Sequence, residues 1–365
     1  MKQLIMPQLK QPMALILQGG GALGAFESGV VTELVERGWT PTAMSGVSIG
    51  AINAAAIAGA HGGDIVASLR NLWAAITLPE VPWLPPSQQA NLSLLGNPNF
   101  WRSRTDYLNM ANWTSLCETT PMRATLATHC DFAQIGDAAH MRVAVTATDL
   151  ATGGSTTFSN YLAPAAQTNG QQHKARRATL TPEHILASGS LPPGFPATVI
   201  DGASYWDGGL FSNTPIDALL NLLAPDEIAH MPIFVVDLFT TAGEPPPANL
   251  MEVQTRATAL QYQNRFWAEY GGSAGLTGFV DMLDTLNGVV GADGGALKDN
   301  PAYLWLMRLR ALKNLHVIKG APAASGADHD FSPYGVDKLF NAGRAAVADH
   351  FAAKSPRQTP QLAVA

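Results

Sequence analysis

The run Met44-Ser45-Gly46-Val47-Ser48-Ile49-Gly50-Ala51-Ile52-Asn53-Ala54-Ala55-Ala56 decides how the chain is read. Within it, Gly46-Val47-Ser48-Ile49-Gly50 has the form G-x-S-x-G. A serine on a sharp strand-to-helix turn needs small neighbours, because the backbone there is strained and a Cβ at either glycine would collide. The flanks agree: Ala43 and Met44 close a strand, and a helix-forming alanine run starts at Ala51. Such a helix aims its positive end at Ser48 and favours an anion formed beside it. The competing reading is a small-residue turn that lets a helix pack on a sheet. Five residues do not separate the two.

Upstream, Ala14-Leu15-Ile16-Leu17 reads as a buried parallel strand. It leads into Gln18-Gly19-Gly20-Gly21-Ala22-Leu23-Gly24, then a helix from Ala25 to Arg37 with Gly38 as its C-cap. A second strand, around Thr42 to Ser45, delivers the chain to the turn at Ser48. This order opens a doubly wound α/β sheet. The glycine loop satisfies G-x-G-x-x-G through Gly19, Gly21 and Gly24. A dinucleotide site also needs an acidic residue ending the second strand, where Met44 and Ser45 stand, so a nicotinamide or flavin site is rejected. The loop instead suits an oxyanion hole, with free backbone amides beside the serine.

The 365 residues are 47% hydrophobic and 14% charged, with a net charge of −6. That composition buries a large core and fits an enzyme better than a disordered or nucleic-acid-binding protein. Lys174-Ala175-Arg176-Arg177 is the one basic run, so nucleic acid is not an expected partner. Contact with a membrane would be hydrophobic rather than electrostatic. Cys117 and Cys130 fit no metal spacing and read as core thiols of a reducing compartment. No apolar run reaches about 18 residues, and Pro7 and Pro12 interrupt the N-terminal stretch. The expectation is a cytoplasmic protein, peripheral to a membrane where it meets one.

Between Leu72 and Cys117, Trp73, Trp83, Phe100, Trp101, Tyr107 and Trp113 crowd a segment without period, broken by Pro79, Pro82, Pro85 and Pro86. It reads either as a lid or acyl-binding wall touching lipid, or as an irregular insertion folded on its own side chains. Further on, Met141 to Thr148 reads as a core strand with Thr156-Thr157-Phe158 as partner. Ala163 to Arg177 reads as an exposed loop, and Glu183 to Ala187 as a helix capped by Thr181. Ile233 to Leu238 is a buried strand, Asn249 to Tyr270 a long amphipathic helix, and Gly271 to Gly295 a mobile glycine-rich stretch. A helix from Tyr303 to Leu312, a strand from Leu315 to Ile318 and a helix from Val336 to Ala352 complete the pattern. Without repeats or a linker, residues 1–352 are expected to form one domain, with a core over 14–238, an extension over 239–352 and a frayed tail over 353–365.

A serine hydroxyl needs a base within hydrogen-bond reach. Of nine histidines, His184, His329 and His350 follow the serine at distances compatible with the order Ser, acid, His. Asp207 is the other candidate. Two glycines after it leave its carboxylate room, and Tyr205-Trp206 before it would desolvate it. Its bland reading is an Asp-Gly turn closed by an Asx hydrogen bond.

Taken in order, Gly19-Gly20-Gly21-Ala22-Leu23-Gly24, Gly46-Val47-Ser48-Ile49-Gly50 and Asp207-Gly208-Gly209 resemble the three motifs of the patatin-like phospholipase family, in particular a bacterial subgroup. Ala187-Ser188-Gly189-Ser190-Leu191-Pro192-Pro193-Gly194-Phe195-Pro196 and Asn213-Thr214-Pro215 look like its further signature segments. The resemblance implies a three-layer α/β/α sandwich with a mostly parallel central sheet. It also implies Ser48 as nucleophile, Asp207 as base, no catalytic histidine, and an oxyanion hole in the loop that carries Gly19, Gly20, Gly21 and Gly24. The amide of Ile49, just after the serine, is expected to join that hole. The activity implied is that of a serine acyl-ester hydrolase, of lipase or phospholipase A type, acting on lipid or fatty-acyl esters without metal or cofactor. Leu23 stands where many bacterial members carry Arg or Lys, which removes cationic help for a phosphate-bearing substrate and leaves neutral esters open. The rival readings are a Ser–His acyltransferase or α/β-hydrolase-type esterase, and a non-catalytic lipid-binding protein.

Overall fold

The computed structural model describes residues 10–163, 173–239, 246–263, 274–291, 295–297, 299–320 and 327–354. Its strands are β1 (Gln11–Leu17), β2 (Trp39–Gly46), β3 (Gly96–Asn97), β4 (Trp101–Ser103), β5 (Cys117–Glu118), β6 (Arg142–Asp149), β7 (Ser155–Ser159), β8 (His173–Arg177), β9 (Thr198–Ile200), β10 (Ala203–Asp207), β11 (Ile233–Asp237) and β12 (Leu315–Lys319). Among the described residues one nine-stranded sheet runs β12-β11-β1-β2-β6-β10-β9, and β7 and β8 continue it from β6. β12, β11, β1, β2 and β6 are mutually parallel. The short β3, β4 and β5 form a separate antiparallel sheet.

The central runs of β1 and β11 are apolar because both of their faces are covered. Met13, Leu15 and Leu17 of β1 join one core with Phe26, Val30 and Ile52, from helices α1 (Gly24–Glu36) and α2 (Ile49–Ala58). Ala14 and Ile16 face a second core with Leu219, Val280 and Leu312 on the other side. Each fully buried Leu or Ile is worth roughly 1.5–3 kcal/mol, so the sheet with its two helical coats is the stabilising unit. This is the expected α/β/α sandwich.

One topological detail positions the site. β7 and β10 both pair with Ala147 of β6, so they lie on opposite edges of that strand. β2 likewise shares Ala144 and Val145 with β7. β2 and β10 therefore occupy the same edge of β6, running towards each other. β2 ends with Gly46 opposite Val145, and β10 ends with Asp207 opposite Ala147.

Several expectations need correction. Residues 173–177, read as loop, form the strand β8. Among the described residues it pairs only with β7, and its polar composition is that of a charged edge strand, with Lys174 on Asp149 and Arg176 on Asp201. The glycine-rich stretch read as mobile contains the helix Ala274–Val290. Leu276, Phe279, Val280 and Leu283 recur at helical spacing and pack inward, which outweighs its glycines. The hairpin β9–β10 was not anticipated. The helix placed over Asn249 to Tyr270 is seen as Leu250–Tyr262, and the last helix runs Pro333–Lys354. Residues 164–172, 264–270, 271–273, 292–294 and 355–365 of those stretches lie outside the described residues.

Candidate active site

Ser48 sits between β2 and α2 with φ 54° and ψ −122°, a conformation that costs a non-glycine residue of order 1–3 kcal/mol. The turn is possible only because its flanks lack a Cβ. One added at Gly46 would lie 2.5 Å from the Gly50 carbonyl oxygen, and one at Gly50 would lie 2.4 Å from that of Leu17. The Ser48 amide is held by the carbonyl oxygen and Oγ of Ser188, at 3.1 and 3.0 Å. Ser188 in turn donates to the Thr146 carbonyl, 2.6 Å away. The loop after helix Pro182–Ser188 thus braces the serine against β6.

Asp207 arrives from the opposite direction. Its amide donates to the Ser190 carbonyl at 3.0 Å, and its own carbonyl accepts from Thr148 Oγ1 at 2.8 Å. Its carboxyl is buried and takes the Gly209 amide at 2.7 Å, which is the Asx turn of the bland reading. That turn does not exclude the other role, because the Ser48 side chain lies close enough to the carboxyl to oppose the effect of burial on it. Burial raises the Asp207 pKa to about 6, while Ser48 and the Gly209 amide work against the rise. A carboxyl so placed is a base close to neutrality.

The glycine loop lies against the serine. A Cβ on Gly19 would come within 2.9 Å of Ser48 Cβ. The Gly19 amide is already bound to Asn213 Oδ1 at 3.1 Å, and that of Gly24 to carbonyls of its own turn. Gly20 and Gly21 open the turn Gly21–Leu23, and Ile49 opens α2. Amides at such positions have no helical acceptor behind them, so Gly20, Gly21 and Ile49 are the donors of the five that suit an oxyanion. Leu23 is part of the core.

Of the three histidines, His184 and His350 are occupied elsewhere, while His329 follows Asp328, whose carbonyl borders Gly21 of the glycine loop. His184 Nδ1 accepts from the Thr181 amide at 3.1 Å in a capping box, and burial lowers its pKa. His329 is mostly exposed and pairs with Asp328. His350 faces His316 and Phe351. Among the described residues no three His, Cys, Asp or Glu side chains are grouped to hold a metal ion. No described helix is long and apolar enough to cross a membrane.

Residues 15–220 match the family model described as patatin-like phospholipase. The chain belongs to the patatin-like phospholipase family. It is thus a member of a family of lipid acyl hydrolases. Two solved structures are similar to this patatin-like chain. VipD from Legionella pneumophila aligns at 14% identity and TM-score 0.40, covering 93% of this chain and 67% of that one. Human GIVD cytosolic phospholipase A2, in complex with methyl gamma-linolenyl fluorophosphonate, aligns at 11% identity and TM-score 0.31, covering 93% and 60%. No curated protein matches the sequence.

Tyr262 and Glu27 escaped sequence reading, and Asn213, read only as part of a signature segment, has a role that reading did not assign. Asn213 grips Gly19 through both its backbone groups. Burial raises the Tyr262 phenol pKa, and the nearby Asp207 and Asp328 carboxylates add to the rise. Behind the loop, Glu27 is wholly buried. It accepts from Asn53 Nδ2 at 3.0 Å, Asn53 Nδ2 also binds the Gly24 carbonyl, and Asn53 Oδ1 takes Trp73 Nε1. Burial holds the Glu27 pKa well above the carboxylate range.

Proposed function

We propose that the protein is a serine acyl-ester hydrolase of the lipase or phospholipase A type, acting on lipid esters through Ser48 and Asp207. The observation that carries this reading is the convergence of β2 and β10 on one edge of β6, which brings Ser48 near enough to the buried Asp207 carboxyl to act on its pKa of about 6. At neutral pH the ionised carboxylate takes the Ser48 proton as Oγ bonds to the ester carbonyl carbon. The negative charge that develops on the carbonyl oxygen is met by the amides of Gly20, Gly21 and Ile49 and by the N-terminus of α2. Collapse breaks the ester C–O bond, and the leaving alcohol takes the proton back from Asp207. Water, deprotonated by the same carboxylate, then cleaves the acyl-enzyme and regenerates Ser48.

The extension over 239–352 belongs to the same domain in this reading, since β12 completes the sheet beside β11. Substrate is reached by peripheral contact with lipid. The test is hydrolysis of a short p-nitrophenyl ester. Ser48→Ala and Asp207→Asn each lower kcat about a thousandfold or more, with the fold intact by circular dichroism, and a fluorophosphonate probe labels wild type but not Ser48→Ala. Retention of most activity by either variant refutes the dyad.

A further inference from the structure

The lobe over 77–118 has two unlike sides. Inward, Phe100 and Trp101 form an aromatic plug with Phe195 and Phe331, with centroids 5.0 Å apart for Phe100–Trp101 and 5.5 Å for Phe100–Phe331. Outward, Trp83 is 85% and Leu95 79% exposed, Leu108 is fully exposed, and Tyr107, Met110 and Leu116 are more than half exposed. Most of these belong together. Ser103 Oγ donates to the Leu95 carbonyl and the Arg104 amide to that of Leu116, so both leucines flank the end of β4. The turn Tyr107–Asn112 follows directly, with the Tyr107 ring 5.8 Å from Trp113. Single exposed apolar residues mean little, but a group carried on neighbouring turns marks a surface that something covers.

Charge indicates what covers it. Glu80, Arg102, Arg104, Asp106 and Glu118 are the only charged residues between 77 and 118. Arg102 pairs with Glu118 at 3.1 Å and Arg104 with Asp106 at 2.6 Å. The face offers no net positive charge to an anionic bilayer or nucleic acid. Protruding Trp, Tyr, Leu and Met beside neutralised charges suit the boundary between headgroups and acyl chains. The lobe is also tied to the cleft. The Leu116 and Cys117 amides donate to the Pro193 and Gly194 carbonyls, both at 2.9 Å. Those residues continue the loop that braces Ser48 and Asp207.

We propose that the outer face of this lobe, with Leu95, Tyr107, Leu108, Met110 and Leu116, seats the protein on a zwitterionic lipid surface and so brings lipid esters to the mouth of the Ser48 cleft. The role of that seat, though not its chemistry, rests on the acyl-hydrolase reading above.

The test uses the full chain. Ser48→Ala protein is sedimented with phosphatidylcholine vesicles at low and high salt, and wild type is assayed on the same vesicles and on a soluble p-nitrophenyl ester. The expected result is salt-insensitive binding, with Leu108→Asp/Met110→Asp lowering vesicle binding and vesicle hydrolysis about tenfold or more and leaving kcat/KM on the soluble ester unchanged. Soluble-ester turnover without any vesicle binding overturns the docking surface and leaves the hydrolase standing. Vesicle binding that Leu108→Asp/Met110→Asp weakens, without turnover of either ester, keeps the surface and ends the hydrolase reading. Binding confined to phosphatidylserine vesicles and abolished by salt overturns the proposal. So does a dimer in size-exclusion chromatography that the double variant splits while vesicles stay unbound, since the face would then serve a second copy of the chain.

Discussion

One side chain, Asn213, closes on both backbone groups of Gly19. Its Oδ1 accepts the Gly19 amide at 3.1 Å and its Nδ2 donates to the Gly19 carbonyl at 3.1 Å. The same Nδ2 reaches the Tyr262 carbonyl at 3.0 Å. Next to it, Thr214 Oγ1 takes Gln18 Nε2 at 2.7 Å. The entrance to the glycine loop is thereby fixed from a segment far along the chain. Asn213→Ala leaves two buried backbone groups without their partner and frees the loop, so kcat/KM on a soluble ester falls about 10- to 100-fold, mainly in kcat. Asn213→Asp does worse, because a carboxylate oxygen then faces the Gly19 carbonyl. Equal activity in all three proteins would sink the clasp as a catalytic support.

The Asp207 carboxyl supplies a pH prediction in two parts. As a base it acts when ionised, so kcat/KM rises with pH, is half-maximal near pH 6 and is flat above. For stability the sign is opposite. The folded value of about 6 lies above the ordinary 3.8, so this group's contribution is full below about 3.8 and is lost as pH rises through about 6. The loss is about 3 kcal/mol at pH 8. Asp207→Asn, which does not titrate, gains stability relative to wild type from pH 4 to pH 8. Urea unfolding at both pH values measures this, and a constant difference between the two proteins would contradict it.

Ser48 is held in a left-handed conformation, with φ 54°. Glycine adopts it without steric cost, alanine does not. Ser48→Gly is therefore more stable than Ser48→Ala by about 1 kcal/mol, and both are inactive. Thermal melts of the two variants settle it, and equal melting temperatures would show that the turn stores no strain.

Burial raises the Glu27 pKa and so favours its neutral form, and a neutral amide of the same shape should serve. Glu27→Gln keeps the fold within about 1 kcal/mol and keeps most activity. Glu27→Ala removes the partner of Asn53, opens a cavity beneath the glycine loop and costs about 2–4 kcal/mol. Denaturant melts compare the two variants, and a Gln variant as damaged as Ala would mean that the charge itself matters.

The parts of this protein that sequence reveals are those where physics leaves a local trace. β1 and β11 are apolar runs because both faces are covered, and the glycines around Ser48 are there because neighbouring backbone would strike any Cβ. β8 leaves the opposite trace: as an edge strand its His-Lys-Ala-Arg-Arg composition looks like solvent-facing loop. The β9–β10 turn did carry a signal, since Asp201-Gly202, both at positive φ, is a strong hairpin pair. A reading guided by the later Asp207-Gly208-Gly209 passes over it. The grip of Asn213 on Gly19 leaves no local trace, because its two halves lie 194 positions apart.

The end-to-end meeting of β2 and β10 along β6 makes the pairing of hydroxyl and carboxyl a matter of strand register. Successive side chains on a pleated strand alternate in direction. A slip of one residue between Tyr205–Asp207 and Ala147–Asp149 would send the carboxylate to the reverse of the sheet, and with it Tyr205, which is buried against Phe158 in the core. The buried Tyr205 therefore guards the register that keeps the carboxyl on the serine's side of the sheet.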